Sequence, residues 1–375
     1  MDLGEIRKEL DAIDEKIVAL YEERMKACER VAEYKIQTGK PVFDKEREEA
    51  KLKQVTSLAS NQFNKQGIGE LFEQIMSTSR KRQYQLLNSH GMGGKLSFEP
   101  VDALETKDAV VVFQGAEGAY SQAAMAEYFG NGTNNFHVDT FREAMVAISQ
   151  EKADYAVLPI ENSTAGIVNE IYDLLVEFKN YIVGEQIIKI EHCLLGIPGS
   201  RIEDIQTVYS HPQSLMQSSR FLNEHKRWQQ ISLENNAFAA RKVAKEQDKT
   251  KAAIAGAYAG EVNGLTILKQ GVNHCSTNST RFIIVTNKNI FTKNAKKVSV
   301  CFEIPHESGS LYRMLSHFIY NRLNLTKIES RPIEGRNWEY RFFLDFEGNL
   351  LDSSVQNALK GLAAESIDFK LLGNY

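Results

Sequence analysis

Hydrophobic positions recur every three or four residues through the first part of the chain. Positions 3, 6, 10, 13, 17, 20, 24, 27, 31 and 34 hold Leu, Ile, Leu, Ile, Ile, Leu, Arg, Ala, Val and Tyr. This spacing predicts a long amphipathic helix with an apolar seam, and Gly39 and Pro41 indicate where that helix ends. Two more helical stretches follow, so we expect residues 2–88 to be helical.

The rest of the chain has two other patterns. From Ala109 to about Thr286, short apolar runs alternate with helical stretches, as is typical of an α/β domain. Residues 298–375 follow a strand–helix–strand–strand–helix–strand order, which is typical of an α+β ferredoxin-like fold. We therefore predict a multidomain chain with a helical domain at 1–90, an aperiodic linker at 91–107, an α/β domain at 108–287 and an α+β domain at 297–375.

Several polar side chains lie on faces of the predicted helices that should be buried. Arg24 lies on the apolar seam, while Ser79 and Gln83 share a face with apolar residues of the third helix. Buried charges are costly unless they are paired or bind a ligand. Cations exceed anions among these residues, which indicates a site for a small polyanion. The cations are Arg7, Arg24 and Lys35, with Arg47 nearby; for Arg7 and Arg47 a solvated charged face is the alternative.

The length of the first helix predicts a dimer. Arg7 and Lys35 are 28 residues apart, or about 42 Å along a straight helix. One small ligand cannot contact both within a single chain. Antiparallel pairing with a second copy would bring Arg7 of one chain to the Lys35 end of the other, so we expect an interlocked homodimer with two composite sites; a tetramer built from it stays open.

This helical segment resembles the all-helical chorismate mutases from residue 2 to about residue 88. The resemblance implies that chorismate is the substrate and that it is rearranged to prephenate. Lys35 and Gln83 are then the catalytic residues at the ether oxygen of chorismate. The remaining substrate-binding residues that the resemblance implies are Arg7 of the second chain, Arg24 and Ser79 at the carboxylates, Asp44 and Glu48 at the ring hydroxyl, and Arg47.

The α/β segment has polar residues where its predicted strands end. These are the glycine turn at Gly115 and Gly118, the stretch from Glu161 to Thr164, and Ser210 with Gln217 beyond it. Each alone is typical of a helix cap or turn, but three in one α/β domain indicate a ligand crevice. Separately, a polar cluster that ends in Thr280 and Arg281 directly precedes an apolar run.

A glycine turn in the same segment has the spacing of an anion-binding loop. Gly115 and Gly118 should direct backbone N–H groups at an anion. Their Gly-x-x-Gly spacing lacks the Gly-x-Gly-x-x-Gly order of a dinucleotide loop, so we expect no nicotinamide cofactor.

The motifs "GAEGAYS", "PIENSTAG", "YSHPQ" and "STRF" together look like prephenate dehydratase, over residues 109–286. The resemblance implies two α/β lobes with a cleft between them, in which prephenate loses carbon dioxide and its ring hydroxyl to give phenylpyruvate. Thr280 is then the catalytic residue, a positioned hydrogen-bond donor at the reacting hydroxyl. Asn162, Ser210, Gln217 and Arg281 line the cleft with it. We interpret His192 as a core residue with satisfied hydrogen bonds.

The C-terminal segment resembles an ACT regulatory domain through "GSL" and "ESRP". The resemblance implies that phenylalanine binds as a feedback effector at Gly309, Leu311, Glu329, Ser330 and Arg331. The family more often has alanine at the position of Ser310.

Composition and charge argue against several classes of partner and cofactor. A net charge of −4 argues against nucleic acid as a partner. The start of the chain lacks a signal peptide, and no apolar run approaches the roughly 18 residues of a membrane span, so we expect a cytoplasmic protein without membrane contact. The four cysteines and eight histidines show no metal-ligand spacing, so we expect neither metal nor other cofactor.

These observations together predict a bifunctional enzyme of phenylalanine biosynthesis that acts first as chorismate mutase and then as prephenate dehydratase. A bifunctional mutase–dehydrogenase would need the missing dinucleotide motif. Two alternatives stay open: a non-catalytic two-lobed amino-acid sensor, and a dehydratase that prefers arogenate.

Overall fold

A computed structural model describes residues 2–91, 97–275 and 277–375. Residues 92–96 of the predicted linker and Ser276 of the polar cluster before Thr280 lie outside the described residues. The chain divides into two compact units. The first comprises Met1–Phe98 and Ala295–Leu371, and the second Glu99–Asn294 and Leu372–Tyr375.

Twelve α-helices and seventeen strands are present in the described residues. The helices are α1 (Leu3–Thr38), α2 (Lys45–Thr56), α3 (Gln62–Ser89), α4 (Tyr120–Phe129), α5 (Phe141–Ser149), α6 (Asn169–Glu177), α7 (Pro212–Gln217), α8 (Ser219–Glu224), α9 (Asn236–Glu246), α10 (Ala257–Val262), α11 (Ser310–Tyr320) and α12 (Ser353–Glu365). The strands are β1 (Glu99–Val101), β2 (Val110–Gln114), β3 (Asn134–Val138), β4 (Tyr155–Asn162), β5 (Gly166–Ile167), β6 (Tyr181–Lys189), β7 (His192–Gly196), β8 (Thr207–Ser210), β9 (Gln229–Ser232), β10 (Lys251–Gly256), β11 (Thr266–Lys269), β12 (Ser279–Thr286), β13 (Ile290–Thr292), β14 (Lys297–Glu303), β15 (Leu325–Pro332), β16 (Tyr340–Glu347) and β17 (Asp368–Asn374). A short 3₁₀ helix spans Ile202–Asp204.

Helix α1 begins and ends where its sequence provides caps. The Asp2 side chain accepts a hydrogen bond from the Gly4 N–H, and Gly39 ends the helix in the left-handed conformation, with φ of 70°. Ala32 is the one fully buried residue of α1 among the described residues. The predicted apolar seam is therefore largely exposed in the single chain, at residues that include Leu3, Leu10, Ile13, Ile17, Leu20, Val31 and Tyr34.

The C-terminal part of the first unit has the predicted order of elements. Its strands lie in the order β15-β16-β14-β17, and β16 pairs antiparallel with both β14 and β15. Helix α3 of the N-terminal segment packs against α11 and α12 within this unit.

The second unit contains two large sheets, as the predicted two-lobed α/β domain requires, besides the two-stranded β1–β13 pairing. One sheet has the order β6-β12-β4-β2-β3, with β5 paired to β4. The other has the order β11-β7-β10-β8-β9. Each sheet has its own apolar core: Val111, Val157 and Ile284 are buried in the first, and Leu195, Ala253 and Val243 in the second.

The predicted linker is wrong at three of its residues. Glu99–Val101 form strand β1, which pairs in parallel with β13, and the neighbouring Phe98 and Phe291 are buried. A strand of three residues that includes Pro100 is too short to show the two-residue alternation by which strands are recognised in a sequence.

No helix within the described residues is both long and apolar enough to span a membrane.

Candidate active sites

In the helical segment, α1 and α3 bring Arg24 and Ser79 together. The Arg24 Nη1 donates to Ser79 Oγ at 2.7 Å, and the Ser79 hydroxyl lies 2.8 Å from the Ile75 carbonyl oxygen, to which it donates. Ser79 is buried. No carboxylate pairs with Arg24 in the part of the chain that the structure describes. Arg24 therefore remains a cation available to a ligand.

Lys35 lies half-buried near the end of α1. Its Nζ donates to the Val42 carbonyl at 2.7 Å. Burial lowers the pKa of Lys35, and the negative charges of Asp44 and Glu48 oppose this shift in part. Asp44 also caps α2 by accepting a hydrogen bond from the Arg47 N–H at 3.0 Å.

The Glu48 carboxylate is held by an arginine that the sequence analysis missed. Arg80 is buried on α3 and forms an ion pair with Glu48. Its Nε also donates to Glu365 Oε1 on α12 at 2.8 Å. Arg80 and Glu365 are 285 residues apart in the chain, so no local pattern could have linked them.

The other residues assigned to this site by sequence differ in exposure. Gln83 is buried one turn beyond Ser79. Arg7 and Arg47 are exposed. Arg7 lies near the opposite end of α1 from Lys35, so a single chain does not bring these two cations together.

In the second unit, a cleft of about 370 Å³ has a wall that both sheets supply. Its lining includes Tyr120, Asn162, His192, Gln217, Asn278 and Thr280. Three of the five residues predicted by sequence for prephenate are therefore at this cleft, namely Asn162, Gln217 and Thr280.

Strand pairing places Asn162 directly opposite Thr280. The two residues are partners in the β4–β12 register, and Asn162 Nδ2 donates to Thr280 Oγ1 at 2.8 Å. Asn162 Nδ2 also donates to Asn278 Oδ1 at 2.9 Å. Asn278 was missed by the sequence analysis, although it belongs to the same polar cluster before β12.

Arg281 does not line the cleft, contrary to the prediction. Adjacent residues of a strand point to opposite faces, and Thr280 faces the cleft. The Arg281 side chain lies instead 3.3 Å from Glu185 and 3.7 Å from Glu161. Arg281 is therefore not among the residues that line this cleft, and its contact with prephenate stays a prediction.

Ser210 does not reach the cleft either. It is fully buried, and its hydroxyl lies 2.6 Å from the Ile254 carbonyl oxygen, to which it donates, and 2.9 Å from Asn236 Oδ1. Asn236 does line the cleft, so Ser210 supports the wall rather than forming it.

The glycine turn before α4 also differs from the prediction. The Gly115 N–H donates to the Val138 carbonyl at 2.9 Å, and the Gly118 N–H donates to Gln122 Oε1 at 2.6 Å. Neither N–H is free for an anion. Gly118 has φ of +87°, and a Cβ there would lie 2.9 Å from Ala259 Cα, which explains the need for glycine.

The residues predicted to bind an effector lie on two elements of the first unit. Gly309, with φ of 77°, precedes α11, and Leu311 lies in its first turn. Glu329, Ser330 and Arg331 lie on β15, an edge strand. A pocket of about 460 Å³ is lined by Ser310 and Leu311 but by none of the three β15 residues.

Comparisons with known proteins match the chain to two enzyme families and to bifunctional relatives. The chain matches the family model for chorismate mutase type II over residues 6–84 and that for prephenate dehydratase over residues 111–290. It is 33% identical to the bifunctional chorismate mutase/prephenate dehydratase of Buchnera aphidicola, with 100% of this chain and 96% of the relative covered. The same-named protein of Escherichia coli is 32% identical, over 99% of this chain and 95% of the relative.

The chain belongs to the bifunctional chorismate mutase/prephenate dehydratase family. It is therefore an enzyme of phenylalanine biosynthesis with two activities, an isomerase that converts chorismate to prephenate and a lyase that converts prephenate to phenylpyruvate. Membership in this family favours the enzyme hypothesis over the non-catalytic sensor.

Two solved structures are also similar to part of this chain. The prephenate dehydratase from Arthrobacter aurescens in complex with L-Phe is 27% identical, covers 71% of this chain and 89% of its own, and has a TM-score of 0.65. GqqA, described as a novel type of quorum quenching acylase, is 32% identical, covers 71% of this chain and 97% of its own, and has a TM-score of 0.65.

Proposed function

We propose that the mutase reaction takes place among Arg24, Lys35, Asp44, Glu48, Ser79 and Gln83, with Arg47 nearby. The rearrangement is pericyclic and needs no nucleophile, so catalysis rests on holding a compact conformer and stabilising charge on the breaking ether oxygen. Arg24 binds a carboxylate of chorismate, helped by Ser79. Lys35 and Gln83 donate to the ether oxygen, and Asp44 and Glu48 accept from the ring hydroxyl.

We propose further that the active mutase is a homodimer. The exposed apolar seam of α1 supports this, because a row of exposed leucines and isoleucines is stabilised by packing against a second helix. In such a dimer Arg7 of the second chain completes each site. Pairing of two dimers would give a tetramer.

Dehydration of prephenate is assigned to the cleft of the second unit. The observation that carries this proposal is the hydrogen bond from Asn162 to Thr280 at the cleft wall. It makes the Thr280 oxygen an acceptor, which leaves the Thr280 hydrogen available for donation to the departing ring hydroxyl of prephenate. Asn162 and Gln217 bind the substrate beside it.

Reciprocal variants test both assignments in one protein. Lys35→Ala should abolish turnover of chorismate and leave turnover of prephenate unchanged, while Thr280→Ala should do the reverse. Near-normal mutase activity in Lys35→Ala removes Lys35 from the site. Loss of both activities in either variant indicates misfolding, and the assignment of that residue then fails.

We propose that residues 297–375 form an ACT domain that binds phenylalanine at Gly309, Leu311, Glu329, Ser330 and Arg331, while residues 1–90 and 108–287 are the mutase and dehydratase domains. The order of strands and helices supports this, as does the complex of a related dehydratase with L-Phe. Product binding would shift the enzyme toward a less active state. A dehydratase rate that is indifferent to added phenylalanine would contradict it.

The alternative that the dehydratase prefers arogenate to prephenate concerns only the relative rates with the two substrates. The names of the relatives support prephenate. Parallel assays with the two substrates decide it: we expect the larger kcat/KM with prephenate.

A further inference from the structure

A buried histidine adjoins the dehydratase cleft and is not used by the proposed mechanism. His192 is the first residue of β7 and is 2% exposed. Its Nε2 lies 3.0 Å from Gln217 Oε1, and its Nδ1 lies 3.0 Å from the Tyr120 hydroxyl. Both ring nitrogens therefore have polar partners at the cleft wall.

The side-chain amide of Asn162 has one defined orientation. Its Oδ1 lies 3.0 Å from the Thr164 backbone N and 2.8 Å from the Ala165 backbone N. Both of these groups are donors, so the atom that faces them must be the amide oxygen. Asn162 Nδ2 then points the other way, toward Thr280.

Two amide oxygens, which can only accept hydrogen bonds, lie close to the Thr164 hydroxyl. It lies 2.8 Å from Asn162 Oδ1 and 3.2 Å from Asn278 Oδ1. Since its one hydrogen is used there, Thr164 Oγ1 can only accept from Gln217, whose Nε2 is 3.5 Å away in a long contact.

This orientation of Gln217 determines the tautomer of His192. With the amide nitrogen of Gln217 toward Thr164, its Oε1 faces His192 and needs a donor. His192 must therefore carry a hydrogen on Nε2, and Nδ1 accepts from the Tyr120 hydroxyl. Burial lowers the pKa of His192, which favours the neutral ring that this arrangement uses.

We propose that His192 is a positioning residue of the dehydratase site. It holds the Gln217 amide with the oxygen toward His192 and the nitrogen toward Thr164, and so fixes which end of this amide is presented at the cleft wall. Asn162 is oriented separately, by the Thr164 and Ala165 N–H groups. His192 is buried with both ring nitrogens hydrogen-bonded, as predicted from the sequence. The positioning role is added to this and rests on the proposed binding of prephenate by Gln217.

Two substitutions at position 192 separate positioning from packing. Glutamine can place its side-chain nitrogen close to the position of the imidazole Nε2, whereas asparagine is too short to reach Gln217. In the full-length enzyme, His192→Asn should lower the kcat/KM for prephenate by roughly 10- to 100-fold, because the Gln217 amide is then free to turn over. His192→Gln should restore kcat/KM to within about fivefold of wild type. Mutase activity of the same samples is the control and should not change.

Tyr120→Phe provides an independent measurement. It removes the donor to Nδ1 but keeps the aromatic packing, so kcat/KM for prephenate should fall by about 3- to 10-fold. The Tyr120 hydroxyl also lies 3.1 Å from the Glu191 carbonyl oxygen, but its proposed contribution passes through His192. Adding Tyr120→Phe to His192→Asn should therefore cause no further loss. Fully multiplicative losses would contradict the proposal.

Two results at position 192 would overturn the inference: wild-type dehydratase turnover in His192→Asn, or equal loss in His192→Asn and His192→Gln. Thr280→Ala distinguishes this failure from failure of the proposed site. If Thr280→Ala keeps full turnover, the site assignment is wrong; if it is inactive while His192→Asn is fully active, only the role of His192 is wrong.

Discussion

The burial of the Lys35 side chain predicts how mutase activity depends on pH. The side chain is half-buried, and burial lowers its pKa below the ordinary value of 10.5 because it disfavours the charged form. The proposed contact with the ether oxygen of chorismate needs the protonated ammonium. Mutase activity is therefore present below this lowered pKa and lost as pH rises through it.

The corresponding prediction concerns the alkaline side of the mutase pH profile. We expect kcat/KM for chorismate to fall with an inflection below 10.5, since kcat/KM reports the free enzyme. Lys35→Arg, which stays charged throughout, should lack this inflection even if its kcat is lower. An identical inflection in wild type and Lys35→Arg would contradict the assignment.

At the scale of residues, the sequence predicted part of the lining of the cleft in the second unit. Thr280 and Asn162 stand out because each is polar at the end of an apolar strand, and strand pairing then brings them together. The family resemblance placed Arg281 at the same wall, whereas the alternation of a strand sends it to the other face. The burial of Ser210 depends on contacts with Asn236 and Ile254, which no local pattern shows.

At the scale of elements, helices α2, α3 and α12 are joined by one buried arginine. Arg80 pairs with Glu48 and with Glu365, and both Arg80 and Glu365 have side chains that are 5% exposed. Burial opposes ionisation of Glu365, but His317 and Arg80 outweigh it, so its pKa lies below the ordinary value. Removing one partner of such a buried ion pair leaves charge without compensation.

Glu365→Gln should therefore destabilise the first unit by about 2 kcal/mol, since Arg80 retains Glu48 as a partner. Urea unfolding of the full chain measures this change. The matched control is Glu177→Gln, which breaks the exposed pair with Arg142 and should leave stability unchanged because exposed ion pairs are screened by water. Equal effects of the two substitutions would show that the burial of Arg80 has no energetic consequence.

Most elements followed from their sequence patterns, and the exceptions have a common cause. The end of α1 at Gly39 and the order of elements from β14 to β17 agree with the predictions. Strand β1 and Arg80 were missed because each depends on a distant segment, β13 in one case and α12 in the other. Local periodicity cannot reveal such pairings.

At the scale of the whole molecule, the exposed seam of α1 predicts the effect of a charge on assembly. Ile17 lies on the seam and is 54% exposed in the single chain. Ile17→Asp should dissociate the proposed dimer, as measured by sedimentation, because a carboxylate would be buried without a partner. Mutase activity should fall with it, since in the proposed dimer Arg7 of the second chain completes the mutase site.

Leu58→Asp is the matched control for this substitution. Leu58 is 80% exposed and lies outside the seam, just after α2. Its replacement should therefore leave the mass of the assembly in sedimentation and the mutase rate unchanged. A monomeric wild-type protein with full mutase activity would contradict the dimer proposal.

The most direct test of the account is to supply chorismate alone to the purified full-length chain and to follow both products over time. With two separate sites acting in series, wild type should form phenylpyruvate by way of prephenate, and Thr280→Ala should convert the same chorismate to prephenate and stop there. Absence of phenylpyruvate with wild type, or its formation at an unchanged rate with Thr280→Ala, would contradict the account.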